Sequence, residues 1–165
     1  MGCYKRTVYM YVDVILHDID AELLKFSKLI SSNNEMNQEL QTDETRNDRP
    51  LMLRRIELFI SRLEDLMQAY IVKLDKRVGD NFNKEKDEYE FILSFPENWQ
   101  SRAFNRLSVE MNDYITNSCI ADFLKSSYPR ESSIYKDKSE SCYWNIKHCI
   151  TSRIPESIRK PIGWM

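Results

Sequence analysis

Glycine and proline are scarce in this chain, whose 165 residues include 3 Gly and 5 Pro. A fold made only of β-strands needs many tight turns, and those turns depend on these two residues. The scarcity therefore favours long helices, and no glycine-rich phosphate-binding loop is present. With 42% hydrophobic and 12% aromatic residues, the chain is apolar enough to bury the core of one domain.

Apolar residues recur at spacings of three and four in four segments, which is the pattern of amphipathic helices. They predict helices at residues 13–30, 51–75, 97–126 and about 129–152. The last of these has the narrowest apolar stripe, so we expect it on the outside of a bundle. The second is the most regular, and its apolar positions are Leu53, Ile56, Ile60, Leu63, Met67, Tyr70 and Leu74. Because this rhythm lasts only about three heptads, it indicates antiparallel packing in a bundle rather than a coiled coil.

One segment has the two-residue period of a β-strand. Its large apolar residues are Tyr89, Phe91, Leu93 and Phe95, and Pro96 ends the pattern. A strand cannot stand alone, because its backbone donors and acceptors need partners. Residues 7–12 are the other strand candidate, so either the two pair with each other, or one or both pair with a neighbouring subunit. The predicted fold is mainly α, a bundle of about four helices with one or two short strands.

Two segments do not fit a compact bundle. Residues 31–50 contain only Met36 and Leu40 as apolar residues, and we interpret them as a polar insertion loop within a domain of residues 1–152. Residues 153–165 carry two prolines, which forbid a regular helix, together with four large apolar side chains. They are predicted to form an extended C-terminal arm that folds back on its own domain or docks into a partner's groove.

We find no arrangement of residues suited to catalysis or to binding a metal or cofactor. His17 is followed by acidic residues, and His148 precedes Cys149, but adjacent residues on a helix point in different directions. The four cysteines show no CxxC spacing, and we expect reduced, buried or half-buried thiols. The chain is therefore predicted not to be an enzyme. A small enzyme whose site escapes motif analysis is the alternative.

The charge balance excludes several classes of partner. The formal net charge is −2, so no overall positive field attracts nucleic acid or an anionic membrane. No apolar run approaches the roughly 20 residues that span a bilayer. Aromatic residues and arginine are enriched at protein interfaces, and the chain has 9 Tyr and 3 Trp, which fits a protein–protein contact role or, as the alternative, simply a large core.

The order of elements resembles the head–tail connector proteins of tailed bacteriophages, also called portal adaptors or neck-ring proteins, of the kind found in Bacteroides and crAss-like phages. The resemblance covers most of the chain. The segments that carry it are residues 13–24 (DVILHDIDAELL), 91–99 (FILSFPENW), 111–115 (MNDYI), 121–124 (ADFL), 128–130 (YPR) and 158–161 (IRKP).

This resemblance implies a structural virion protein of the neck, assembled in the host cytoplasm. It would form a homo-oligomeric, dodecameric ring between the capsid portal and the tail or further ring proteins. The ring would extend the channel through which DNA passes without specific binding. By analogy, the arm would hold the portal or the adjacent subunit through Ile154, Ile158, Arg159, Lys160, Ile162 and Trp164. The alternative is a cytoplasmic, non-catalytic protein–protein adaptor or regulator.

Overall fold

The computed structural model describes residues 3–31, 49–79 and 83–154. These residues form three strands, β1 (Cys3–Tyr11), β2 (Ile71–Arg77) and β3 (Glu88–Pro96), and a 3-10 turn at Lys84–Lys86. They also form four helices: α1 (Val12–Ser31), α2 (Arg49–Met67), α3 (Ala103–Leu124) and α4 (Pro129–Thr151). The prediction of a mainly α fold with four helices is confirmed, but the described residues contain three strands rather than one or two.

The strands form one antiparallel sheet in the order β1-β3-β2. Along β3, buried and half-buried residues alternate, so one face of the sheet packs against the helices. The buried face of β3 carries Tyr89, Phe91, Leu93 and Phe95, all part of the hydrophobic core. In β1, Val8 and Met10 are buried on the same side of the sheet, whereas Tyr9 and Tyr11 lie on the exposed side.

The two strand candidates pair within the chain, which was the first of the two alternatives. Val8 of β1 and Leu74 of β2 both lie opposite Phe91, one on each side of β3. Both hydrogen-bonding edges of β3 are therefore occupied, so β3 itself has no edge left to pair with a strand of another subunit. The candidate inter-subunit strand of Tyr89, Phe91, Leu93 and Phe95 is corrected on this ground: it is the central strand of its own subunit's sheet.

The second helix is shorter than its heptad pattern predicts. It ends at Met67, whose carbonyl accepts a hydrogen bond from the Tyr70 amide at 2.8 Å, and the chain continues as β2. Ile71 and Val72 are β-branched, and β-branched residues suit a strand better than a helix. Because β3 offers a free edge beside them, strand pairing prevails over the helical rhythm.

The third helix also starts later than predicted, at Ala103 rather than near residue 97. Trp99 lies in the preceding turn, where its amide donates to the Pro96 carbonyl at 2.9 Å, and it forms an isolated antiparallel bridge with Arg153. Lys76 and Arg77 are the last residues of β2, and a 3-10 turn at Lys84–Lys86 precedes β3. The first and fourth helices end within two residues of their predicted limits.

Helix α3 lies at the centre of the bundle and packs against α1, α2 and α4. Its buried apolar side chains include Leu107, Met111, Ile115, Ile120 and Leu124. Helix α4 packs mainly against α3 and leaves its other side exposed, as its narrow apolar stripe predicts. Trp144 on that side of α4 is 64% exposed.

Asp87 fixes the junction between the sheet and α1. This carboxylate is 3% exposed, lies 3.1 Å from the Lys76 ammonium, and accepts a hydrogen bond from the Gly79 amide at 3.2 Å. Its backbone carbonyl accepts from the Val12 amide at 3.1 Å, where β1 passes into α1. Although burial opposes the charged form, hydrogen bonds to Asp87 and Glu57 raise the pKa of Lys76. The junction between β1 and α1 is thus held by a backbone hydrogen bond to Asp87, whose buried carboxylate is paired with the exposed Lys76.

Candidate assembly surface

A groove of about 230 Å³ lies between the edge strand β1 and helix α3. We call it the β1–α3 groove, and its lining includes Tyr9, Tyr11, Val14, Val109, Asn112 and Asp113. The side chains come from three elements, because the end of β1 leads directly into α1 and α3 crosses beside both. This arrangement places two strand residues next to two helices.

Four of the residues that line the β1–α3 groove are exposed aromatic or aliphatic side chains. The exposed fractions are 45% for Tyr9, 46% for Tyr11, 47% for Val14 and 59% for Val109. The two tyrosine rings stack at a centroid distance of 6.5 Å because alternate residues of β1 point to the same face of the sheet. Contiguous exposed apolar side chains of this kind mark interaction sites.

The backbone of β1 adds a second feature to the groove. Within the described residues β1 has one hydrogen-bonded neighbour, β3, and no described strand pairs with its opposite edge. Three consecutive residues of this strand, Tyr9, Met10 and Tyr11, line the groove. A strand edge presents a row of N–H and C=O groups that can pair with another extended chain. The groove therefore offers both backbone hydrogen bonds and apolar contacts to a ligand strand.

The Tyr11 end of the groove is acidic. Asp113 lines it, and the Asn112 amide donates to Asp18 at 2.9 Å just beside it. Partial burial, then the charges of Glu110 and Asp18, raise the pKa of Asp113. In the part of the chain that the structure describes, no Lys or Arg forms an ion pair with Asp113. The carboxylate thus lies where a cation from a partner would be favoured.

The other end of β1 carries the opposite charge. Lys5 and Arg6 lie near its start, and the Arg6 guanidinium lies 5.8 Å from the centre of the Phe104 ring at the start of α3. At the far end of β1, Tyr9 and Tyr11 are paired with Glu90 and Glu88 of β3. Charge therefore changes from positive to negative along the length of the groove, and this polarity can select the direction of a bound strand.

A larger groove of about 690 Å³ lies between α2, α3 and α4. We call it the large groove, and residues lining it include Phe59, Arg62, Tyr114, Lys136, Tyr143 and Trp144. The Arg62 guanidinium lies 4.9 Å from the centre of the Phe59 ring, and Ser118 and Ser139 hydrogen bond to each other across the helix interface.

The base of the predicted arm is anchored to the core. The Trp99 indole N–H donates to the Cys149 carbonyl at 2.8 Å, and the Ile154 amide donates to the Asn98 carbonyl at 2.7 Å. Because Asn98 follows Pro96, which is paired with Cys3, residue 154 lies at the Cys3 end of the sheet. Of the predicted arm interface, Ile154 alone is described, and Ile158, Arg159, Lys160, Ile162 and Trp164 lie outside the described residues.

The residues considered for chemistry are not brought together. His17 and His148 are exposed on α1 and α4. The four cysteines are free thiols; Cys3 is exposed, and Cys119, Cys142 and Cys149 are buried. Burial raises the pKa of Cys142 to about 12, which keeps this thiol protonated and unreactive at neutral pH.

Two searches over the described ranges complete the survey. Among residues 3–31, 49–79 and 83–154, no three His, Cys, Asp or Glu side chains are grouped so as to hold a metal ion. No helix in those ranges combines the length and hydropathy that a membrane span requires.

The sequence did not reveal the β1–α3 groove, because the contact joins residues about a hundred positions apart. The only local signal is the pair of tyrosines that alternate with buried residues in β1. The chain matches no known family model, no curated protein and no solved structure. A functional assignment therefore depends on the surfaces of the described residues and on the sequence itself.

Proposed function

We propose that the chain is a non-catalytic structural subunit that assembles with copies of itself into a ring, of the kind that joins the capsid portal to the tail in tailed bacteriophages. The observation that supports this proposal best is the β1–α3 groove. It combines exposed Tyr9 and Tyr11 side chains with the free edge of β1. Tyrosine is a frequent anchor of protein interfaces, and a free strand edge readily accepts a further strand.

The ring geometry follows from the kind of contact that the groove would make. A concave acceptor on one copy needs a different, extended donor on the next, so the two surfaces in contact are not the same. Such head-to-tail contacts close into rings when the rotation between subunits allows it, and otherwise form filaments. The resemblance to head–tail connectors favours the ring.

The assembly is tested by sedimentation velocity and negative-stain electron microscopy of the purified chain, alone and with other proteins from purified particles. We expect a concentration-dependent oligomer and ring-shaped particles with a central channel. A variant lacking residues 154–165 should keep its circular dichroism spectrum and thermal melt but stay monomeric. A full-length chain that remains monomeric under every condition would contradict the proposal.

The virion location has its own test, mass spectrometry of purified particles. A stoichiometric presence in the neck is expected, whereas absence from particles favours the alternative of a protein–protein adaptor. The specific observation in favour of that alternative is the large groove, where aromatic rings and the cations of Arg62 and Lys136 could bind a partner's acidic or aromatic segment. An adaptor would stay monomeric and bind its partner through this groove.

A further inference from the structure

We infer that the β1–α3 groove of one copy binds residues 155–165 of a second copy as an additional antiparallel strand beside β1. This inference rests on the proposed self-assembly and names the segment that occupies the groove. Four features support it: the side-chain alternation of the segment, the positions of its two prolines, its charge, and its length.

The alternation in the segment suits a strand with one mainly apolar face. In an extended chain every second side chain points the same way, so Ile158, Ile162 and Trp164 would share a face with one cation, Lys160. In the groove the apolar members of that face would contact Tyr11, Val109 and neighbouring apolar groups. Apolar groups of both partners would then be removed from water together, which is the main driving force for association.

Pro161 restricts how the segment can pair. Proline has no N–H, so it is tolerated in an edge strand only where its backbone nitrogen points away from the neighbouring strand. Residues at even positions then direct their N–H groups towards β1. These include Ile158, Lys160 and Ile162, all of which can donate. Pro155 also lies at an odd position, so both prolines permit the pairing and leave the outer edge of the added strand without two donors.

Charge selects the direction of the added strand. When residue 165 lies opposite Cys3 in an antiparallel pairing, Arg159 lies opposite Tyr9 and Lys160 lies opposite Val8. Arg159 is then beside a residue that lines the groove, as Asp113 does. In a parallel pairing with residue 157 opposite Cys3, the two cations would lie opposite Lys5 and Arg6, where like charges repel. The antiparallel direction therefore avoids the positive end of β1.

Length then assigns the segment to a different copy. Residue 154 lies at the Cys3 end of β1, so the segment of the same chain would have to travel to the Tyr11 end before running back. β1 has 9 residues. A strand of that size is about 30 Å long, whereas residues 155–165 reach at most about 36 Å when fully extended. One chain therefore cannot make the antiparallel pairing with its own groove.

The other open surfaces suit this segment less well. Strand β2 carries Lys73, Lys76 and Arg77 against one acid, Asp75, so its excess of positive charge would oppose Arg159 and Lys160. The large groove mixes the acids Asp122 and Glu140 with the cations Arg62, Lys125 and Lys136, so it too has more positive than negative groups. The β1–α3 groove has Asp113 and no Lys or Arg among its lining residues.

Cross-linking through the native Cys3 thiol tests the direction and the copy. Cys3 is exposed at the start of β1, and the other three cysteines are buried. In the full chain, Met165→Cys should react with Cys3 of another copy through a short bismaleimide and give covalent oligomers on a denaturing gel. Ser157→Cys is the matched control, because an antiparallel strand places residue 157 at the far end of β1. Covalent oligomers from Ser157→Cys instead, or Met165→Cys products linked only within one chain, would overturn the inference.

A charge exchange tests the groove itself. Asp113→Lys and Lys160→Asp should each weaken self-association by about tenfold, and the double variant should recover most of the loss. Asp137→Lys, an equal charge change at an exposed position of α4, should leave self-association unchanged. Equal effects of Asp113→Lys and Asp137→Lys would overturn the assignment of the groove. A chain that assembles normally in all these variants would leave the proposed ring intact but exclude this contact, whereas a wild-type chain that never assembles would refute both.

Discussion

Replacing Trp99 with phenylalanine tests whether this side chain joins the sheet, the turn before α3 and the end of α4. Trp99 is 1% exposed and its ring stacks on Phe95 at a centroid distance of 3.9 Å. Its indole N–H donates to the carbonyl of Cys149, in the last turn of α4, where carbonyls have no donor within the helix. Phenylalanine keeps an aromatic ring but removes that donor.

The expected cost has two parts. A buried carbonyl left without a donor costs about 1–3 kcal/mol. The smaller ring leaves a void and loses part of the stacking on Phe95, which adds about 1 kcal/mol. We therefore expect Trp99→Phe to lower the free energy of unfolding by about 2–4 kcal/mol, with the fold otherwise retained.

Urea denaturation followed by circular dichroism measures this change without depending on tryptophan fluorescence. Trp144→Phe is the matched control, because Trp144 is 64% exposed and its replacement should change stability by less than about 0.5 kcal/mol. Equal effects of the two substitutions would refute the anchoring role of Trp99. In that case, the bridge between Trp99 and Arg153 would not be what holds the base of the arm to the turn before α3.

Two further predictions concern buried ionisable groups. Asp87→Asn should lower the free energy of unfolding by about 2 kcal/mol, because it removes the charge that faces Lys76; exposed Asp137→Asn, followed in the same urea titrations, should have no effect. Burial raises the pKa of Cys142 to about 12, from an ordinary value of 9.0, and also raises the pKa values of Cys119 and Cys149. Above pH 9 the unfolded chain therefore loses thiol protons that the folded chain keeps, and stability should fall by about 1.4 kcal/mol per pH unit for each thiol. Urea titrations between pH 7 and 10 give the free energy of unfolding at each pH. Its decrease with pH should be shallower for Cys142→Ala than for the wild type, and an identical decrease would contradict this assignment.

Local patterns predicted most of the helical scaffold. Helices α1 and α4 have long apolar stripes and clear ends, such as Pro129 in the first turn of α4, and both were predicted within two residues. The helical spacing of apolar residues continues through Tyr70 and Leu74, but the helix ends at Met67 and β2 begins at Ile71. The prediction of a helix to residue 75 was therefore wrong. Periodicity cannot detect that the edge of β3 lies beside these residues, and the hydrogen bonds of that edge decide the conformation.

Of the contact that we propose between copies, the sequence shows only the segment that would be bound, residues 155–165. The alternation of Ile158, Ile162 and Trp164 and the positive charge beside them can be read in the printed sequence. The acceptor cannot, because Tyr11 and Val109 are distant in the chain and meet only when α3 crosses the end of β1. The strand of Tyr89 to Phe95 was recognised as needing partners, but the identity of those partners depended on the sheet order.

The amino-acid sequence by itself determined that this chain folds as a small helical domain with few turns, since glycine scarcity and apolar periodicity act locally along the chain. Tertiary structure decided which strand became central, where α2 ended, and which surface remained open. These outcomes depend on backbone hydrogen bonds and side-chain burial between residues far apart in the chain, as in the pairing of Val8 with Phe91. The unpaired edge of β1 among the described strands is one such outcome, because the sheet order β1-β3-β2 places β1 at the edge.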